Sequence, residues 1–140
     1  MRAPPSPVME RLGEVIWLLR HSPGYEDADL ARVDALFMQP LFLDQLRVFQ
    51  KNGQPVGLVA WALLSPEAEA RYLAEGVLLG SDWQSGEQFW FTDFLAPFGD
   101  VAALTRAACR FVPQGQNGFG TRRNPDGSVR RITRHRHRSG

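Results

Sequence analysis

The chain has 140 residues, of which 44% are hydrophobic and 22% charged, and its formal net charge is +1. This size and composition predict one globular domain over residues 1–140 and leave no room for a second. No apolar run reaches the roughly 18 residues of a membrane-spanning helix, and the first seven residues lack a secretory signal, so we expect a cytoplasmic protein with no membrane span.

Two helices are predicted before residue 41, after a loose, proline-rich arm over residues 1–7. The first begins at Val8, where apolar residues start to recur at helical spacing, and it ends near His21. The second is short and begins at Asp27 or Asp29, because either side chain can cap a helix. Since proline removes a backbone donor, we expect this helix to end before Pro40.

The middle of the chain is predicted to alternate between strands and a helix. Residues Leu46–Gln50 and Pro55–Leu63 flank Asn52-Gly53, which is a strong signal for a two-residue hairpin turn. The second of these strands is almost wholly apolar, which is typical of a central strand covered on both faces. A helix is predicted over residues 66–75, and an aromatic strand over Gln88–Leu95.

A helix and a basic hairpin are predicted for the last third. The hairpin pairs Gly118–Arg123 with Ser128–Thr133 around the turn sequence Asn124-Pro125-Asp126-Gly127. The helix starts after Gly99-Asp100 and ends before Pro113. Its predicted buried stripe consists of Val101, Leu104, Ala108 and Phe111. Together these elements predict an α/β or α+β domain, in which a mostly antiparallel, mixed sheet is flanked by about four helices.

Cysteine and glycine usage bears on cofactors. A single cysteine, Cys109, forms no internal disulfide and suits a reducing compartment. With three histidines and one cysteine in the chain, we predict no metal site. No Walker loop or dinucleotide fingerprint is present, because the glycines at 115, 118 and 120 precede a strand rather than a helix. We therefore predict no bound cofactor.

Charge is distributed unevenly along the chain. Residues 1–105 carry 14 acidic and 7 basic side chains, whereas residues 106–140 carry 1 and 9. The basic hairpin and tail, residues 118–140, therefore favour an acidic partner, and planar arginine forks suit phosphate or carboxylate groups. The alternative interpretation is a solvated, partly frayed tail over Arg134–Arg138. Nucleic acid is a third, weakly supported partner.

Asp93 interrupts the apolar pattern of the aromatic strand. At a period of two residues, its side chain shares a face with Phe89, Phe91 and Leu95. A carboxylate there is costly unless it is paired or hydrogen-bonded. The partner is either a histidine, as in many catalytic sites, or an arginine or backbone amides in a structural role, and the pattern alone leaves both open.

Several motifs resemble the RTX toxin-activating lysine acyltransferases of hemolysin C type. The most specific block contains Asp82-Trp83-Gln84-Ser85-Gly86 and Trp90-Phe91-Thr92-Asp93-Phe94-Leu95-Ala96-Pro97-Phe98-Gly99-Asp100. Further matches are Gly13–Leu18, His21-Ser22-Pro23, Trp61-Ala62 and Arg71-Tyr72-Leu73. The resemblance implies a GNAT-like acyltransferase fold. It also implies transfer of a fatty acyl group from acyl-carrier protein to internal lysines of an RTX protoxin.

The resemblance also implies site residues. The family's catalytic aspartate falls on Asp93, whereas the position of its histidine, three residues after Ser22, is occupied by Tyr25. A tyrosine hydroxyl has an ordinary pKa of about 10, which makes it a poor base at neutral pH. Either His21 takes the place of the family's histidine and is oriented by Asp93, or Tyr25 positions the substrate or donates a proton. The third possibility is a catalytically impaired homologue that binds carrier protein or toxin.

For docking of the carrier protein, the candidate residues lie in the basic hairpin. They are Arg122, Arg123, Arg130, Arg131 and, further along the strand, Arg134. Because carrier proteins are acidic, basic charge would steer their encounter with the enzyme. Family members typically continue beyond this hairpin, so we expect part of a homodimer contact or substrate groove to be missing from the chain.

Overall fold

The computed structural model describes residues 2–124, 126 and 128–138. The chain divides into two compact units, one of Met1–Ala60 with Asp93–Leu104 and one of Trp61–Thr92 with Thr105–Gly140. Among the described residues, no helix is long and apolar enough to cross a membrane. Met1 and the predicted turn residues Pro125 and Gly127 lie outside the described part of the chain.

The N-terminal helices form in the predicted regions with shifted ends. Helix α1 spans Ser6–Arg20, two residues earlier than predicted, because Pro7 is tolerated in the first helical turn. Helix α2 spans Leu30–Val33 and is capped by Asp29, whose side chain accepts a hydrogen bond from the Arg32 amide at 2.9 Å.

The predicted end of the second helix before Pro40 is wrong. A π-helical turn over Asp34–Met38 follows α2, and helix α3 continues over Gln39–Phe42. Pro40 lies in the first turn of α3, where a missing amide hydrogen leaves no bond unmade. Since α2, the π-helical turn and α3 are consecutive, the described segments that contain α-helix number four, as predicted. A 3₁₀ helix over Gly80–Asp82 lies further along the chain.

The described residues form five strands, which lie in the order β1-β2-β3-β4-β5 in one sheet. Their bounds are β1 Leu46–Lys51, β2 Gln54–Leu64, β3 Gln88–Leu95, β4 Asn117–Arg123 and β5 Val129–Arg136. β1 pairs antiparallel with β2 and β4 with β5, whereas β3 and β4 are parallel. The predicted mixed sheet is therefore confirmed.

The β1–β2 hairpin turns at the predicted residues. Asn52 and Gly53 have φ values of 53° and 76°, and Lys51 pairs with Gln54 across the turn. Positive φ at both central positions is the geometry that Asn-Gly favours in a two-residue hairpin. Within the first unit, β2 contributes Leu58 and Ala60 to a buried core that also includes Val15, Leu18, Phe37, Leu46 and Leu95.

In the second unit, helix α4 spans Pro66–Glu75, as predicted. Ser65 caps it through a 3.2 Å hydrogen bond from the Ala68 amide, and Gly76 ends it in the left-handed conformation. Its Arg71 donates to the Asp82 carboxylate at 2.5 Å, and the same carboxylate oxygen accepts from the Leu79 amide at 2.8 Å. Two motifs of the resemblance, one containing Arg71 and one containing Asp82, are therefore joined by an ion pair.

The last helix, α5, spans Val101–Ala108 and passes into a 3₁₀ turn over Cys109–Phe111. Leu104 and Ala108 are buried as predicted, but Val101 is 54% exposed. The predicted stripe therefore does not extend to Val101, and Phe111, in the 3₁₀ turn, is half-buried.

The alternative of a solvated, partly frayed tail is confirmed for solvation, since Arg134, Arg136 and Arg138 are exposed, but fraying is wrong over most of the segment. β5 continues to Arg136, and His135 pairs with Gly118 on β4. Beyond the strand, a His137 ring nitrogen lies 2.7 Å from the Val112 carbonyl oxygen, and the Arg138 amide donates to the Cys109 carbonyl oxygen at 3.2 Å. These contacts join the end of the described chain to the 3₁₀ turn after α5 and to Val112, which follows it.

Gly86 is expected to be intolerant of a side chain. A Cβ at this position would lie 2.5 Å from both the Leu64 carbonyl oxygen and the Ser65 nitrogen, which are backbone atoms that cannot move aside. We predict that Gly86→Ala lowers the free energy of unfolding by about 2 kcal/mol in urea denaturation. Gly13→Ala is the control, because nothing lies within 4 Å of its Cβ in α1 and alanine favours the helix. Equal effects of the two substitutions would show that the backbone around Gly86 accommodates a methyl group.

Candidate active site

Tyr25 and Asp93 form a hydrogen-bonded pair within the first unit. The Tyr25 hydroxyl donates to Asp93 Oδ1 at 2.9 Å, across 68 residues of sequence. Both side chains are partly buried. Among the described residues, no hydrogen bond to the other carboxylate oxygen, Oδ2, is present. The described residues therefore donate a side-chain hydrogen bond to one carboxylate oxygen, Oδ1.

A tight turn after α1 positions Tyr25. Ser22 is buried, its hydroxyl donates to the Leu18 carbonyl oxygen at 2.8 Å, and its own carbonyl oxygen accepts from the Tyr25 amide at 3.2 Å. Gly24 has φ of 89°, a conformation that glycine adopts without the strain of a side chain. Its amide donates to Glu26 Oε2 at 2.9 Å. The Gly24 and Tyr25 amides are thus both hydrogen-bonded inside the turn.

The Tyr25 ring is held from two sides. Phe37 lies 6.1 Å away between ring centroids in an edge-to-face arrangement, and the Arg32 guanidinium carbon lies 4.9 Å from the Tyr25 ring centroid. The Tyr25 ring therefore packs against Arg32 of α2 and Phe37 of the π-helical turn, while its hydroxyl is bonded to Asp93.

Asp93 has an unusual acidity for a carboxyl group. Desolvation by the surrounding protein raises its pKa from 3.8 to about 7, against the opposing effects of the Tyr25 hydrogen bond and the Arg32 charge. A carboxyl group with this pKa exchanges protons near neutral pH, which is the property required of a general acid or base.

His21 lies outside this pair. It follows α1 directly as its C-cap residue, and its ring contacts Trp17 at 4.7 Å and Phe98 at 5.2 Å between centroids. No hydrogen bond joins His21 to Asp93 in the described part of the chain. The hypothesis that His21 takes the place of the family's histidine at Asp93 is thus not supported by this arrangement.

Four predicted docking arginines lie together in the second unit. They line a groove of about 570 Å³ with Thr121, and they are Arg122, Arg123, Arg130 and Arg131. Arg122 and Arg131 face each other directly across the β4–β5 ladder. Like charges at paired positions repel, and an anion between them would relieve that repulsion.

Two of the basic residues have other surroundings. Arg123 donates to the Tyr72 carbonyl oxygen at 2.7 Å, and its guanidinium carbon lies 5.3 Å from the Tyr72 ring centroid. Arg123 therefore contacts α4 as well as the groove. Arg134 pairs with Phe119 on the ladder and does not line the groove.

The aromatic residues at the start of β3 form part of the core of the second unit. Phe89 and Trp90 are buried, with Phe89 stacked on Trp61 at 5.8 Å and the Trp90 indole donating to Glu69 at 2.6 Å. Both rings are therefore enclosed in the core of the second unit.

Comparison with known proteins identifies the family. The model of the HlyC RTX toxin acyltransferase family matches residues 5–136. The chain belongs to this family. It is 38% identical over 96 residues to the RTX-I toxin-activating lysine-acyltransferase ApxIC of Actinobacillus pleuropneumoniae, a match that covers 68% of this chain and 56% of that protein. It is 30% identical over 131 residues to the protein-lysine palmitoyltransferase CyaC of Bordetella bronchiseptica, covering 91% and 70%.

A solved structure gives the fold independently. The chain is similar to the GphF GNAT-like decarboxylase in complex with isobutyryl-CoA, with a TM-score of 0.55 and 20% sequence identity, over 84% of this chain and 64% of that one. The GNAT-like fold that the resemblance implied is thereby confirmed, as is the membership in the HlyC family.

Both members of the hydrogen-bonded pair are recognisable in the sequence, but Arg32 is not. The alternating pattern of the aromatic strand singles out Asp93. Tyr25 is singled out by its position three residues after Ser22. Arg32 contacts Gly24 and Tyr25 because the chain folds back so that α2 lies beside the turn after α1. No local sequence pattern predicts this contact. The one signal in the sequence is a cation three residues after the capping Asp29.

The raised pKa of Asp93 makes folding stability depend on pH. Well below about pH 4 the carboxyl is protonated in both the folded and unfolded states. As pH rises towards 7 the unfolded chain ionises first, so the stability contributed by protonated Asp93 is progressively lost.

We predict that Asp93→Asn, which cannot ionise, raises the free energy of unfolding at about pH 8 by about 2 kcal/mol and changes it little at about pH 4. Urea denaturation at the two pH values measures this difference. Asp34→Asn, at an exposed position, serves as the control. A gain that is the same at both pH values would argue against a raised pKa.

Proposed function

We propose that this protein is a lysine acyltransferase that moves a fatty acyl group from acyl-carrier protein to an internal lysine of an RTX-type protoxin. The observation that carries the proposal is the Asp93 carboxyl, which is held by Tyr25 and has a pKa of about 7. Membership in the HlyC family and the lysine-acyltransferase names of the relatives support the reaction class. The chain spans 56% of the length of ApxIC, so activity of this chain itself is part of the proposal.

In the proposed reaction, Asp93 acts as the general base. A lysine amine that has lost its ammonium proton to solvent attacks the carbonyl carbon of the thioester, and a C–N bond forms. The Asp93 carboxylate takes a proton from the attacking nitrogen through Oδ2. As the tetrahedral intermediate collapses, the C–S bond breaks, and the leaving sulfur receives that proton from Asp93 to give a thiol.

Tyr25 would orient the base rather than act as one. Its hydroxyl donates to Oδ1, which restricts the carboxylate plane and leaves Oδ2 for the substrate. The hydrogen bond favours the ionised carboxylate, whereas desolvation favours the neutral acid. The balance between them suits a base that must be partly ionised at neutral pH and still bind a proton.

The basic groove is the proposed docking surface for the carrier protein. Arg122 and Arg131, paired across the β4–β5 ladder, offer two planar forks to carboxylates or to the phosphate of the prosthetic arm. The proposed location is the cytoplasm, since the free thiol of Cys109 suits a reducing compartment.

A second candidate function rests on the tyrosine itself. The resemblance implies a histidine at position 25, so its replacement also fits a homologue that binds carrier protein or toxin without turnover. The two candidates differ in one measurable respect, because only the acyltransferase loses a reaction when Asp93 is changed.

We predict that Asp93→Asn lowers the rate of acyl transfer by about 100-fold or more, because the amide cannot accept the proton. The assay is mass spectrometry of a cognate protoxin after incubation with acyl-carrier protein bearing a fatty acyl group. Asp34→Asn should retain the wild-type rate, because Asp34 is exposed and lies outside the pair.

The Tyr25→His variant in the same assay separates the two candidate functions. Absence of turnover by the wild type, with turnover gained in Tyr25→His, would favour the binding homologue. Wild-type turnover that is unaffected by Asp93→Asn would overturn the proposed base.

The docking proposal is tested by reversing charge. We predict that Arg122→Glu with Arg131→Glu lowers kcat/KM for acyl-carrier protein by about tenfold at low ionic strength, with a smaller loss at high salt, since steering is electrostatic. Arg20→Glu is the matched control at an exposed position in α1. A loss that matches the control or does not respond to salt would show that this groove does not dock the donor.

A further inference from the structure

Arg32 occupies a particular place beside the Tyr25–Asp93 pair. It lies in α2, and its Nη1 donates to the Gly24 carbonyl oxygen at 2.9 Å. Its guanidinium carbon lies 4.9 Å from the Tyr25 ring centroid. One exposed side chain therefore contacts both the backbone and the ring of the turn that presents the Tyr25 hydroxyl.

We propose that Arg32 is a positioning residue for acyl transfer, which holds the Tyr25 hydroxyl against Asp93 and sets the charge beside that carboxyl group. The inference rests on the proposed function, in which Asp93 is the base. It adds a residue to which neither the motifs of the resemblance nor the strand pattern points.

The geometry explains why an arginine suits this role. A planar guanidinium can stack on an aromatic face while an N–H at its edge donates to a carbonyl oxygen. Lysine offers a compact ammonium on a flexible stem and cannot make both contacts in one fixed arrangement. With Arg32 present, the turn is tied to α2 at Gly24, which directly precedes Tyr25 in the chain.

The charges around this contact support an electrostatic effect on Asp93. In the described part of the chain, the polar groups that act on Asp93 are the Tyr25 hydroxyl and the Arg32 cation, and both lower the carboxyl pKa against desolvation. Four acids lie within six residues of Arg32 in the chain. Two of them accept hydrogen bonds from backbone amides, and the other two, Asp27 and Asp34, form no ion pair with Arg32 among the described residues. Glu26 accepts from the Gly24 amide, and Asp29 accepts from the Arg32 amide. The guanidinium therefore lacks a carboxylate ion-pair partner of its own in the described structure.

The first test measures Asp93 directly, without turnover. The ¹³C chemical shift of its carboxyl carbon, followed against pH by NMR, gives the pKa in the wild type, Arg32→Gln, Arg32→Lys and the control Arg20→Gln. We expect Arg32→Gln to raise the pKa by about half a unit and Arg32→Lys to leave it close to the wild-type value. Arg20→Gln, at an exposed position in α1, should cause no shift. A pKa in Arg32→Gln that equals the wild-type value would overturn the electrostatic part of the inference.

The second test asks whether Arg32 acts through Tyr25. We expect Arg32→Gln and Arg32→Lys each to lower kcat for acyl transfer by about fivefold to tenfold, whereas Arg20→Gln leaves it unchanged. In a Tyr25→Phe background the effect of Arg32→Gln should largely disappear, because residues that act as one unit are not additive. Equal losses in both backgrounds would overturn the positioning role.

The two tests separate this inference from the proposed function. An Asp93 pKa that responds to Arg32 in a protein without acyl transfer would overturn the proposed function and leave the electrostatic contact in place. Acyl transfer that depends on Asp93 and is indifferent to Arg32 would overturn only this inference.

Discussion

Desolvation and hydrogen bonding oppose each other at one carboxyl group, and the proposed chemistry depends on their balance. Packing around Asp93 disfavours its charge, and the Tyr25 hydroxyl at 2.9 Å partly restores it. Neither effect alone would suit acyl transfer. A fully solvated aspartate is too weak a base at neutral pH, and a buried one without a donor would remain protonated. The resulting pKa of about 7 lies where proton transfer in both directions is efficient.

Two parts of the chain bring Asp93 and Tyr25 together. β3 carries Asp93 close to its end, beyond the buried Phe89 and Trp90. The turn after α1 carries Tyr25, and its internal hydrogen bonds at Ser22 fix the approach of the ring. Since Tyr25 and Asp93 lie 68 positions apart, the pair exists only in the folded chain, and its acidity reports on tertiary structure.

How far the sequence predicts the fold and the site depends on the range of each interaction. Asn52-Gly53 determines its turn through local geometry, so the hairpin occurs where the pattern places it. The prediction that the second helix ends before Pro40 is wrong, because a π-helical turn leads into α3 and Pro40 lies in the first turn of α3, where proline is tolerated. Strand period marks Asp93 as needing a partner but does not identify Tyr25. Arg32 reaches the site because the chain between Gly24 and α2 folds back on itself, and no rule of residue spacing predicts that. The two residues of the candidate site are therefore marked in the sequence, whereas the contacts that join and surround them are not.

In the proposed reaction Asp93 transfers the proton, because a tyrosine occupies the position where the family resemblance implies a histidine. The most direct test of that claim is the pH dependence of kcat/KM for acyl transfer by the wild-type chain, measured from about pH 5 to about pH 9. If Asp93 is the base, the rate rises with pH through an apparent pKa close to 7, as its carboxyl group ionises. A profile that shows no change of slope near pH 7, and follows only the ionisation of the lysine amine, would contradict this role.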